Sequence, residues 1–131
     1  SVLLDNSCYH FSKHVGILSI MSALYYRLQI DCEPTQYENV SIILGVTPSK
    51  NRPWIVEVET GQISSDGITY LVSLLRDKFE QLNQLGITRE NISVWIIYAY
   101  QQQCNLEFTP TQLGLLSQEA IRLCISCYEV N

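Results

Sequence analysis

Residues 92–100, ISVWIIYAY, put Ile92, Val94, Ile96, Tyr98 and Tyr100 on one side of an extended segment and Trp95, Ile97 and Ala99 on the other. Apolar side chains on both faces mark the central strand of a sheet that is covered at least partly on both sides. Downstream, the polar run 101–104 makes a turn. Thr109-Pro110-Thr111-Gln112 then combines the capping-box spacing with proline at the first helical position, which starts a short helix through Leu113, Leu116 and Ala120. Residues 121–130 follow as a second apolar strand. Upstream, Ile68, Leu71, Val72, Leu75, Phe79, Leu82 and Leu85 draw the apolar stripe of one long helix that ends at Gly86, with Arg76 and Glu80 placed to pair on its wet side.

The first half of the chain reads in the same terms. Leu24, Tyr26, Leu28 and Ile30 alternate with Arg27 and Gln29, the period of two expected of a half-buried strand over residues 24–30. Asp31-Cys32-Glu33-Pro34 opens a helix with proline in its first turn, Gly45 stops it, and Tyr37, Val40, Ile43 and Leu44 face the core. Residues 46–53 hold two prolines, Lys50 and Arg52, and read as an exposed loop. Trp54, Val56 and Val58 then share one face of a strand over residues 54–59, and residues 60–67 are turn-like.

This order predicts an α+β domain: a two-layer sandwich with a four-stranded sheet and about three helices on one face. Pro-Thr-Gln opens a helix at Pro34 and again at Pro110, so the chain reads as a ferredoxin-like pseudo-repeat of two strand-helix-strand halves joined by the long helix. Residues 21–131 form the single domain. Met21, the one methionine, stands just before the first strand, so residues 1–20 read as an N-terminal extension, non-native or exchanged with a neighbouring copy.

With 131 residues the chain can bury about two-thirds of its unfolded surface without a staple. Hydrophobic residues at 47% and charged residues at 16% exclude a disordered chain, and the apolar runs are too interrupted for a membrane span. A formal net charge of −5 disfavours nucleic acid and anionic membranes and permits a basic partner. Five cysteines, an odd number with no signal peptide read in the first twenty residues, argue against a disulfide framework and for a cytoplasmic location.

No catalytic constellation emerges from the residue pattern. Cys8, His10 and His14 have spacings that zinc accepts but lack a fourth ligand, so polar surface residues are the simpler reading. Cys124 and Cys127 have the redox spacing, yet on a strand residues three apart point to opposite faces, and buried, inert thiols are expected. Glu57 and Glu59 share a strand face that reads as solvated rather than as an acid–base pair, and the 6 glycines form no phosphate loop. No catalytic, metal or cofactor residue is therefore assigned. The 8 tyrosines and 2 tryptophans are more distinctive, since an amphipathic ring serves recognition. The candidate binding surface is Tyr25, Lys50, Arg52, Trp54, Glu57, Glu59, Tyr98, Tyr100 and Tyr128.

From about residue 22 to the end, the strand Tyr25 to Ile30, the turn Leu44-Gly45-Val46-Thr47-Pro48, the Trp54 strand, the long helix and the tail Leu123-Cys124-Ile125-Ser126-Cys127-Tyr128 together resemble the DUF4279 family, bacterial domains of unknown function. The basic loop of that family is shortened here to Ser49-Lys50-Asn51-Arg52. The resemblance implies a small stand-alone protein, of a kind that includes immunity proteins that neutralise a toxin, and it carries over no catalytic residue. The expected function is that of a non-enzymatic protein-binding domain with a protein partner. The alternative is a small-ligand-binding regulatory domain acting as a homodimer.

Overall fold

A computed structural model describes residues 23–59 and 66–130. The extension assigned to residues 1–20, with Cys8, His10 and His14, lies outside the described residues. The order is β1 (Ala23–Ile30), a 3-10 turn (Pro34–Gln36), α1 (Tyr37–Leu44), β2 (Lys50–Asn51), β3 (Trp54–Glu59), α2 (Gly67–Leu75), α3 (Phe79–Gln84), a second 3-10 turn (Arg89–Asn91), β4 (Ile92–Tyr100), α4 (Pro110–Gln118) and β5 (Arg122–Glu129). The strands form one sheet in the order β2-β3-β1-β4-β5. β1 is antiparallel to both β3 and β4, whereas β5 runs parallel to β4.

The fold is α+β, as the pattern requires, but its details differ from the expectation in three ways. The sheet has five strands rather than four, because Lys50 and Asn51 in the anticipated loop pair with Ile55 and Trp54. The long helix is two helices. Asp77 sits at φ 65, in the left-handed region that Asp tolerates better than most residues, and interrupts the helix without glycine or proline. The apolar stripe continues across the break because Leu75 and Leu82 are both fully buried, so hydrophobic spacing alone could not show it. The break also removes the i,i+4 relation on which pairing of Arg76 with Glu80 depends.

The third difference is the absence of a ferredoxin-like repeat. After β1 the chain goes through α1 and returns to the end of the sheet it has just left, so Trp54 lies opposite Ile30 and β3 is antiparallel. After β4 the chain travels back along the sheet through α4, so Arg122 starts beside Ser93 and β5 is parallel. The two halves share an element order and have opposite pairing senses.

Register explains the core. Leu28 stands between Val56 on β3 and Val94 on β4, and Ile30 between Trp54 and Ile92. These residues and Tyr26 point to one face of the sheet, where Val40, Leu44, Ile68, Leu71, Leu82 and Leu116 of the helices close over them. Each such side chain contributes roughly 1.5–3 kcal/mol by leaving water. Polar contacts set the helix positions. The Trp54 indole Nε1–H donates to Ser41 Oγ (3.0 Å), and that hydroxyl donates to the Tyr37 carbonyl (3.0 Å), which ties α1 to β3. Gln36 Nε2 donates to the Leu85 carbonyl at 2.6 Å and holds the end of α3 to the first 3-10 turn. At α4, Thr109 and Gln112 form the anticipated reciprocal capping box.

Asp66 caps α2 by accepting the Thr69 amide at 2.9 Å and the Thr69 hydroxyl at 2.7 Å. Partial burial pushes its carboxyl pKa up, but the Thr69 amide, the Gln112 side chain and the Thr69 hydroxyl outweigh that and leave it below its ordinary value. The next residue, Gly67, lets the helix start directly on the Tyr26 ring. A Cβ there would stand 2.1 Å from Tyr26 Cγ, and burial has already raised the pKa of that phenol, with Asp66 adding to it.

Gly67→Ala should therefore destabilise the fold by about 1–3 kcal/mol, the range of core overpacking, read as a lower denaturation midpoint with an unchanged slope. For Asp66, a folded-state pKa below the ordinary value of 3.8 means a stabilising contribution that is complete above that value and lost as pH falls through the folded pKa. Asp66→Asn keeps a capping oxygen and loses the charge. The stability gap between it and the parent should be widest near neutral pH and shrink below about pH 4 in thermal scans.

Candidate functional site

The alternation that fills the core sends the odd-numbered residues of β1, β3 and β4 to the other face. There Tyr25 lies between Glu59 and Ile97, Arg27 between Glu57 and Trp95, and Gln29 between Ile55 and Ser93. β5 extends the face with Cys124 beside Trp95, Ser126 beside Ile97 and Tyr128 beside Ala99. The buried residues of all four helices belong to the opposite layer, so among the described residues no helix covers this one. Tyr25, Trp95 and Ile97 are half-buried, and Tyr128 is 49% exposed.

Charge on this face is organised around Glu57. Arg27 Nε and Nη2 both donate to Glu57 Oε2, at 2.9 and 2.8 Å, and Lys50 Nζ stands 3.7 Å from Oε1. Two cations thus face one carboxylate. At the other end of the face the charge of Glu59, then burial, then Glu57 and Tyr128 raise the Tyr25 phenol above its ordinary pKa. The phenol stands beside acidic groups, with Ile97 supplying apolar surface. Trp95 turns its indole Nε1–H to Ser93 Oγ at 2.9 Å, which fixes the ring orientation.

The residues anticipated as a surface separate into three groups. Tyr25, Lys50, Glu57, Glu59 and Tyr128 are brought together on the helix-free face. Arg52 sits exposed in the turn between β2 and β3. Trp54 and Tyr98 are not surface residues: they are 0% and 4% exposed and lie in the core, because their even positions pair with Ile30 and Leu24. Tyr100 is half-buried against the same core, its ring centroid 6.1 Å from that of Tyr98. Trp95 and Ile97 belong to the helix-free face and were not anticipated there. The signal for them is Arg27 and Gln29, whose polarity marks which face of the first strand lies away from the helices, but transferring it to β4 requires the inter-strand register.

The thiols also depart from expectation. Cys124 and Cys127 do point to opposite faces, but Cys127 is exposed rather than buried, and its Sγ lies 2.9 Å from Cys104 Sγ. Among the described residues no group of three or more His, Cys, Asp or Glu could hold a metal ion, and no helix is long and apolar enough to cross a membrane. A depression between α3 and the second 3-10 turn is lined by Phe79, Asn83, Thr88 and Arg89, with the Arg89 guanidinium 3.9 Å over the Phe79 ring.

A double-mutant cycle on Arg27→Gln and Glu57→Gln should give a coupling of about 0.5–1 kcal/mol in dilute buffer, because both groups are about one-fifth exposed. In roughly 1 M salt, where the Debye length is about 3 Å, the coupling measured by denaturation should fall.

No protein-family model, curated protein or solved structure matches the chain.

Proposed function

We propose that this chain is a non-enzymatic protein-binding domain of the DUF4279 type, that the helix-free face of its sheet is the docking face, and that the partner presents basic groups. A toxin neutralised by a bacterial immunity protein fits that partner. The observation that carries the reading is the placement of Tyr25 and Tyr128 beside Glu59 and Ile97 on one face that no helix covers among the described residues. A protonated phenol with an apolar neighbour and an acidic flank is the residue type that anchors interfaces, where aromatic anchors in the centre supply affinity and surrounding charge supplies steering. The net charge of −5 acts in the same direction. The pairing of Glu57 with Arg27 also supports it, since a carboxylate already answered within the fold is poorly placed for proton transfer.

The test uses paired baits in the source cell extract: the parent chain and the Tyr25→Ser/Tyr128→Ser double variant, each shown to melt cooperatively. The expected result is a protein retained by the parent at micromolar affinity or tighter and weakened about 30-fold or more by the double variant, the ~2 kcal/mol of a hot-spot truncation. Glu59→Gln should slow association and flatten its salt dependence. Absence of any saturable partner, or a partner bound equally by parent and double variant, overturns the proposal.

A further inference from the structure

We propose that Cys104 and Cys127 are a reversible disulfide site that staples the segment after β4 to the edge strand β5. Their sulfurs come from two different elements and lie 2.9 Å apart, about 0.9 Å from the 2.03–2.05 Å of a disulfide bond. Both are held in place. Cys104 packs against the core together with Leu106 and Phe108, and β5 is pinned just beyond Cys127 by the Val130 amide, which donates to the Tyr100 carbonyl at 2.7 Å. Cys127 is exposed, so an oxidant reaches it, while Cys104 is the partly buried partner that resolves the first adduct. The other described thiols do not compete: Cys124 lies across the sheet, opposite Trp95, and Cys32 follows β1 at the far end of the sheet, where Ile30 pairs with Trp54 and Ile92.

The oxidant is a low-molecular-weight disulfide such as glutathione disulfide. The Cys127 thiolate attacks one of its sulfurs, forming a mixed disulfide and expelling one glutathione thiolate. The Cys104 thiolate then attacks the Cys127 sulfur and expels the second. Two protein thiols are oxidised to one disulfide, their two protons end on the two glutathione thiols, and one glutathione disulfide is reduced. The new ring encloses α4, and by restricting the unfolded chain it raises thermal stability in the oxidised form.

The experiment equilibrates the full-length reduced protein in glutathione redox buffers, blocks residual thiols, and maps it with trypsin. Cleavage after Arg89 and Arg122 yields one peptide with Cys104 alone, residues 90–122, and one with Cys124 and Cys127, residues 123–131. The expected product links these two peptides through Cys127 in the parent and in Cys124→Ser. Its melting temperature should be roughly 5–12 °C higher than that of the reduced protein, a rise reversed by dithiothreitol and absent from Cys104→Ser and from Cys127→Ser. Linkage through Cys124 or Cys8, glutathione adducts without linkage, a fully reduced product in the most oxidising buffer, or linkage with no rise in melting temperature would each overturn the proposal.

Discussion

Leu28 touches Val56 on one side and Val94 on the other, and that three-strand register decides where every other side chain goes. A slip of one residue along either neighbour would turn a whole strand over and set Trp95 and Ile97, or Glu57 and Ile55, against the helices. The Glu57 carboxylate would then meet the apolar layer without the Arg27 guanidinium that now holds it, a desolvation cost of several kcal/mol. Alternation along β1 is strict enough to forbid such slips. The helices only confirm the choice: Ser41 can meet the Trp54 indole and Gly67 can meet the Tyr26 ring in one register alone.

The strands and the amphipathic helices could be read from residue order because each rests on a local period. β3 and β4 fall where alternation and apolar runs place them, and α1 ends at Gly45 with φ 70 as a left-handed stop requires. What could not be read depends on distant partners. β2 is two residues long and exists through its contacts with Ile55 and Trp54. The helix break at Asp77 leaves the apolar spacing intact. Strand direction depends on where a connection lets the chain re-enter the sheet, which Pro-Thr-Gln at Pro34 and Pro110 does not encode.

Three of the nine residues of the candidate surface, Trp54, Tyr98 and Tyr100, meet the same limit. Tyr25, Glu57 and Glu59 sit where period two puts them relative to the polar residues Arg27 and Gln29. Trp54 and Trp95 are both tryptophans on apolar strands, and composition cannot say which is inside. The parity of each residue relative to Leu28 decides it: Trp54 stands opposite Ile30 in the buried row and Trp95 opposite Arg27 in the outer row. An aromatic count therefore measures the capacity for a docking surface, while register determines its members.

β5 concentrates the consequences of this architecture. It is an edge strand paired in parallel with β4, and among the described residues no strand lies against its outer side. Parallel pairing is slightly weaker per residue than antiparallel, and most of β5 is exposed, so few buried contacts hold it. Its alternation nevertheless gives the two faces different chemistry at adjacent positions, a thiol beside Cys104 at Cys127 and a phenol on the helix-free face at Tyr128. A bond formed on one face restrains the backbone that carries the ring on the other. In a sheet whose centre is fixed by buried apolar rows, an exposed edge strand opens at a lower free energy than the centre, so a small covalent change has more leverage there.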